Sequence, residues 1–344
     1  MFYSLIKRFL FLFAPERAHR LALWLLRGLL LLPGGRLLLR GVCVPSEATP
    51  VSLWGLSFSN PVGLAAGFDK NAEHVEALFE LGFGFVEVGS VTAKPWKGNP
   101  SPRLFRLPVD EAVINRMGLN NNGADALAKR LAALRERGVS GPLFVNVAKT
   151  PDPALEGAAA VADYCASVER VKDLADGVVV NISCPNSGDG RTFEDPDALE
   201  ALLKGVRATL GENSVPLLVK VSPDLGPAAL ECVVDLAERY GVDGFTATNT
   251  TVSRKGLQTG EEALRALGAG GLSGAPLHQR ALRTVRELRR LTDKPIIGVG
   301  GIMGSAEAAA MMEAGASLVQ LYTGFIYRGP TVVRQICRGL PGEA

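Results

Sequence analysis

Histidine is scarce in this chain. There are three in 344 residues, at positions 19, 74 and 278. None of them ends one of the apolar runs described below, and His74 and His278 fall in helix-like or loop-like stretches. Oxidation of a 2-hydroxy acid calls for an imidazole base at such an end, so that chemistry is disfavoured. Cysteine is also sparse: the five lie at 43, 165, 184, 232 and 337, too far apart for a zinc or iron–sulfur signature. An odd, scattered set fits a reducing compartment better than a disulfide framework. No uncharged apolar run among the first forty residues approaches the ~18 residues of a membrane-spanning helix. The glycine-rich GVGGI near the end lacks the GxGxxG pattern, which excludes a Rossmann fingerprint there.

What the chain does have is eight short apolar runs at near-regular intervals. They are 61–67, 83–91, 143–149, 177–185, 216–223, 244–250, 295–302 and 317–324. Each is rich in Val, Ile, Leu or Phe, and helical patterns separate most of them. Continuous apolar strands alternating with helices imply a parallel sheet covered on its faces. Eight such units fit an α/β fold, a closed (β/α)8 or TIM barrel, with its active site at the strand C-terminal ends. Those ends carry Lys70, Ser90, Asn146, Cys184, Asn186, Lys220, Asn249, Thr250, Gly301, Tyr322 and Thr323. Lysines, amides, hydroxyls, one thiol and glycine backbone together suit an anionic, hydrogen-bonding small molecule.

The overall charge of +2 hides an asymmetry. Residues 1–40 hold seven Lys/Arg and one Glu, a net of +6, while the remainder holds thirty Lys/Arg and thirty-four Asp/Glu, a net of −4. The first forty residues read as two short helices broken near Ala14-Pro15, with Pro15 suited to a first helical turn. Leu21, Trp24, Leu25 and Leu29 follow at helical spacing. Apolar faces with basic flanks suit a membrane interface rather than a crossing. Residues 1–40 are therefore taken as an amphipathic helical segment, and 41–344 as the barrel domain. A Gly/Pro hinge is expected near 33–50, followed by a small hairpin, VSLWGLSFSN, closing the barrel bottom.

Several motifs carry chemistry. In NPVGLAAGFDKN (60–71), small residues allow close approach to the backbone and Lys70 reaches in. INRMGLNNNG (114–123) is an amide-rich loop of the kind that binds ligands. NISCPN (181–186) sets Cys184 between Asn181 and Asn186. A thiol with an ordinary pKa of about 8.5 can accept a proton near neutral pH. The Gly/Asp-rich stretch 187–197 reads as a lid. In KVSPDL, Lys220 is a buried cation placed to counter negative charge on a cofactor. GGLSG, GVGGI and YTG form the expected phosphate cradle of a flavin mononucleotide, after strands seven and eight.

LAAGFDKN, VGSVT, NPSPRLFRLP, INRMGLNNNG, NISCPN, VKVSPDL, TATNTT, GGLSG, PIIGVGGI and LVQLYTGFIYRGP together resemble the dihydroorotate dehydrogenase family across residues 45–335. The PERAH segment resembles its membrane-associated, quinone-reducing class 2. The resemblance implies an FMN-dependent oxidoreductase that converts dihydroorotate to orotate in pyrimidine biosynthesis and passes the electrons to a membrane quinone. It implies peripheral attachment to the cytoplasmic side of the cell membrane, with no nucleic acid and no obligatory protein partner. Carried over by motif, Ala66, Gly67, Ser90, Asn146, Asn181, Lys220, Thr248, Gly274, Gly301, Tyr322 and Thr323 match FMN-contacting positions. Lys70, Asn115, Arg116, Met117, Gly118, Leu119, Asn181, Asn186, Asn249 and Thr250 match substrate contacts. Cys184 matches the catalytic base, and His19, Arg106 and Tyr322 match a quinone tunnel. Two departures stand out. The quinone class is expected to use serine where this chain has Cys184, a habit of the soluble class that uses fumarate or NAD. The lid wording SGDGR also differs from the quinone class's glycine-leucine-arginine ending.

Overall fold

The eight apolar runs fold as eight parallel strands that close on themselves. They are β1 (Val62–Leu64), β2 (Phe85–Val91), β3 (Leu143–Val147), β4 (Gly177–Asn181), β5 (Leu217–Val221), β6 (Gly244–Ala247), β7 (Ile296–Val299) and β8 (Leu318–Leu321). Pairing of Val319 with Val62 joins the last strand to the first. The computed structural model describes residues 2–46, 49–182, 192–211 and 215–340. A helix follows each strand; Pro196–Leu210 shows why. Asp195 caps it by accepting the Ala198 N–H at 3.1 Å, Pro196 starts it, and Gly211 ends it at φ +83°. Leu199, Leu202, Leu203, Val206 and Leu210 form its buried stripe. The expected lid thus ends earlier than supposed: its last residues are the cap and first turn of this helix, and 187–191 lie outside the described residues.

Strand alternation sorts the barrel interior into layers. Phe85, Phe144, Leu218 and Leu318 form an apolar lower layer with Val179 and Ile297. The hairpin Val51–Leu53 and Leu56–Phe58 plugs it from below, as expected. Phe58 meets Phe85 edge-on at 5.5 Å, and Trp54 Nε1 donates to the Asp243 carbonyl at 3.0 Å. Two residues further along the same four strands stand Glu87, Asn146, Lys220 and Gln320. They therefore share the next layer up, and all four are buried.

Three helices precede the barrel: α1 (Phe2–Phe11), α2 (Pro15–Leu31) and α3 (Gly35–Cys43). The break between α1 and α2 falls where the sequence places it. The third helix corrects the expected hinge at 33–50. Only residues 32–34 turn the chain, with Gly34 at φ +78°, and GRLLLRGVC then buries Leu39 and Cys43 against the barrel core. Arg40 Nη2 donates to the buried Glu80 carboxylate at 2.9 Å, so α3 straddles the boundary drawn at residue 40. The other faces are bare. Leu5, Phe9, Leu12, Trp24, Leu31 and Leu37 are all more than half exposed, Leu12 by 81%. No single helix among the described residues is long and apolar enough to cross a membrane. A three-stranded antiparallel sheet, Leu104–Leu107, Ala112–Asn115 and Gly271–Gly274, lies outside the barrel ladder. INRMGLNNNG, expected as a loop, thus begins inside a strand.

Candidate active site

The strand ends converge on one cleft of about 1000 Å³, part of it open to solvent. Its wall is built from the strand ends outward. After β1 the backbone is pinned by Asp69, whose carboxylate accepts the N–H groups of Glu73 at 2.9 Å and His74 at 2.7 Å. Burial raises the Asp69 pKa against these bonds. The pinned turn sets Ala66, Gly67 and Lys70 on the cleft. From β2 comes Ser90, whose hydroxyl donates to Asn146 Oδ1. Asn181, ending β4, donates to Ser90 Oγ at 3.3 Å and accepts from Asn249 Nδ2 at 3.3 Å. Lys220, Thr248 and Thr250 complete that side.

The opposite wall is glycine and hydroxyl. Gly274, Gly301, Tyr322 and Thr323 line it, and Ser273 Oγ pairs with Thr323 Oγ1 at 2.8 Å. Gly301 has φ +65°, and a Cβ there would stand 2.6 Å from the His278 nitrogen, so no other residue fits. Burial pushes the Tyr322 hydroxyl up to about 12. It stays protonated and donates to the Gly67 carbonyl at 3.4 Å. From the outer sheet, Asn115, Met117, Gly118 and Leu119 cover the cleft.

Of the residues expected to touch cofactor or substrate, two stand elsewhere among the described ones. Asn146 lies behind Ser90 with no exposure. Arg116 turns away: its guanidinium donates to the carbonyls of Leu267, Ala269 and Pro102 and rests 4.5 Å from the Phe105 ring. It braces the segment that reaches Gly271–Gly274. Cys184 and Asn186 lie outside the described residues. His19, on α2, reaches the cleft through rings: it meets Phe68 edge-on at 4.7 Å, and Phe68 meets Tyr322 at 5.7 Å. Burial, and then the charge on Lys70, lower the His19 pKa to about 4, so its imidazole is neutral at physiological pH. Arg106 instead closes the end of α1, donating to the carbonyls of Leu10 at 3.3 Å and of Phe13, with the Phe11 ring 4.3 Å away.

Sequence reasoning missed Glu87 and Gln320, which join Asn146 and Lys220 in a polar layer under the cleft. Glu87 accepts Asn146 Nδ2 at 2.8 Å and Gln320 Nε2 at 2.6 Å, with Lys220 Nζ at 3.7 Å. The signal was present: FVEVGSV and LVQLYTG each carry one polar residue inside an otherwise buried run. The Gln320 Oε1 and Thr250 Oγ1 atoms, both on cleft-lining residues, are buried without a partner among the described residues. Buried polar atoms of this kind call for a ligand or water. The lining holds two lysines and, among the described residues, no carboxylate. It is an electropositive cleft for a polar, anionic molecule.

Residues 49–343 match the family described as dihydroorotate dehydrogenase. A protein of Thermobifida fusca named dihydroorotate dehydrogenase (quinone) is 49% identical over all of this chain and 92% of its own length. One of the same name from Alkalilimnicola ehrlichii is 47% identical, covering 99% of each chain. Among solved structures, ligand-free DHODH from Eimeria tenella superposes with TM-score 0.85 at 36% identity, covering 94% of this chain and 93% of that one. The complex of that enzyme with ferulenol gives 0.83.

Proposed function

The chain belongs to the dihydroorotate dehydrogenase family, and from that premise we propose how its residues carry the family's reaction. The protein is the quinone-dependent type: it oxidises dihydroorotate to orotate in pyrimidine biosynthesis. One observation carries the site assignment: family motifs far apart in the sequence converge on a single electropositive cleft at the strand ends.

The cleft fits FMN. A glycine wall that admits no Cβ at Gly301 suits a phosphate against backbone N–H groups, and Thr323 and Ser273 add hydroxyls. The unpartnered Gln320 Oε1 and the Lys220 ammonium offer an acceptor and a cation at the floor. When bound, FMN supplies the hydride acceptor of the oxidation. The protein supplies the rest. Lys70 and the amides of Asn115, Asn181 and Asn249 hold the substrate carboxylate and ring amides, which is catalysis by positioning. Asn186 is assigned to the same group by sequence alone. Cys184 takes the C5 proton of dihydroorotate, its sulfur being the general base. Met117, Gly118 and Leu119 keep water from the substrate.

Quinone access is assigned to the N-terminal helices. Their exposed leucines and aromatics, with a net charge of +6 over residues 1–40, suit peripheral attachment to the cytoplasmic membrane face. The ring sequence His19, Phe68, Tyr322 leads from α2 to the cleft. Arg106 contributes by holding the α1 end in place.

The test is anaerobic. Dihydroorotate should bleach the bound flavin of the purified protein, and a short-chain ubiquinone should restore the colour far faster than fumarate or NAD. Faster recovery with fumarate or NAD would move the protein to the soluble type that Cys184 suggests. No bleaching at all would refute the substrate assignment.

A further inference from the structure

The middle of a barrel like this one is ordinarily filled by branched apolar side chains. Here a polar layer crosses it directly under the cleft, and Glu87 stands at its centre with no solvent exposure. Its carboxylate can only accept, so the two amides that meet it must present their NH2 groups. That fixes both amide orientations. The Asn146 carbonyl faces Ser90, whose hydroxyl it accepts. The Gln320 carbonyl is left buried and without a partner among the described residues. Lys220 completes the set as an ion pair at 3.7 Å. Glu87 does not touch the cleft, yet Lys220, Gln320 and, through Asn146, Ser90 do.

We propose that Glu87 is a positioning residue for the cofactor. It holds Lys220 in place at the floor, offsets that lysine's charge, and sets the Gln320 carbonyl as a fixed acceptor. The proposal rests on the flavin reading above. Its consequence is electrostatic. Reduction brings negative charge to the ring, and an uncompensated Lys220 would stabilise that charge more strongly in a low-dielectric site. Glu87 therefore keeps the bound flavin less oxidising than Lys220 alone would make it, which favours passing electrons onward.

The experiment compares full-length wild type, Glu87→Gln and Glu87→Asp, each loaded with FMN. The midpoint potential of the bound flavin is read at pH 7 against reference dyes, alongside the melting temperature. Glu87→Gln should raise the reduced-to-oxidised ratio at a given potential about 10-fold, an upward shift of about 30 mV for a two-electron couple. Glu87→Asp keeps the charge and should stay close to wild type. A merely structural role would lower melting temperature without moving the potential, and an unchanged or lower potential in Glu87→Gln overturns the proposal. If Glu87→Gln does not fold, the double variant Glu87→Gln/Lys220→Met should recover folding, because the fault would be an unpaired buried charge. Failure of that rescue also overturns it. Absence of FMN from the wild type would instead refute the flavin reading itself, and with it the cofactor role of Glu87.

Discussion

Two lysines and a cysteine divide the work at the residue scale. Lys70 lines the cleft on the turn that Asp69 pins, where the proposed reaction needs a partner for the substrate carboxylate. Lys220 stands in the layer below, tied to Glu87. Neither of these roles removes a carbon-bound proton. The base assignment therefore falls to Cys184, three residues after β4 ends. Cys184→Ala should leave the flavin spectrum nearly intact and slow anaerobic bleaching by dihydroorotate about 10²–10⁴-fold, the usual share of general-base catalysis. Cys184→Ser should lose less. Its rate should level off at higher pH than wild type, because a thiol near pKa 8.5 ionises in reach and a hydroxyl does not. Stopped-flow bleaching from pH 6 to 10 reads both effects. An alanine variant within a few-fold of wild type would show that another group takes the proton.

Among the elements, α2 illustrates how pH enters. His19 packs on Phe68, and its pKa of about 4 lies below the ordinary 6.5. Between those values the unfolded chain binds a proton that the folded one does not. Stability from this group is thus complete above pH 6.5 and is lost as pH falls from 6.5 toward 4. Wild type should lose more melting temperature between pH 7 and pH 5 than His19→Gln does, and equal losses would show that burial of the imidazole is not felt. The same element shows what the sequence could tell. Pro15 marked its start, but the residues it buries, Ala18 and Leu23, were not those read at helical spacing, of which Trp24 and Leu25 stand exposed. The eight strands were legible, since a buried parallel strand is a continuous apolar run. The third helix was not, because glycines at 34, 35 and 41 look like hinge residues until Leu39 and Cys43 find a core. The outer sheet was missed for a related reason: Ala112–Asn115 pairs with Gly271–Gly274 across more than 150 residues, and no local pattern reports that. Arg116 was drawn to the substrate by its place beside Asn115. Strand alternation sends adjacent side chains to opposite faces, which is why one lines the cleft and the other braces the backbone outside it.

For the whole molecule, the question is where the bare apolar helices end and barrel begins. Large exposed apolar side chains cluster in residues 5–42, with only Val109 and Val252 elsewhere among the described residues. Yet α3 belongs to both halves. Its Leu37 and Leu38 are bare, while Leu39 and Cys43 enter the main core and Arg40 neutralises Glu80. Composition alone puts the division at residue 40, whereas a cut that keeps α3 whole falls in the turn at 32–34, although Leu23 of α2 also joins the main core. The two choices have different outcomes. Deleting residues 1–33 should leave a folded barrel that keeps FMN and is bleached by dihydroorotate. Vesicle binding and quinone turnover should fall steeply, because α1, α2 and His19 are gone. Deleting residues 1–40 removes Arg36 and Arg40 as well and leaves the Glu80 carboxylate without either guanidinium. That should cost a further ~1.5–3 kcal/mol, the range for a hydrogen bond to a charged group, and lower the melting temperature by several degrees relative to the shorter deletion. Adding Glu80→Leu to the longer deletion should return part of the loss, since an apolar side chain needs no partner there. Melting curves of the three proteins, with quinone kinetics on the first, decide the matter. Equal stability of the two deletions would place α3 with the membrane segment, and undiminished quinone turnover after the shorter one would remove α1 and α2 from the electron path.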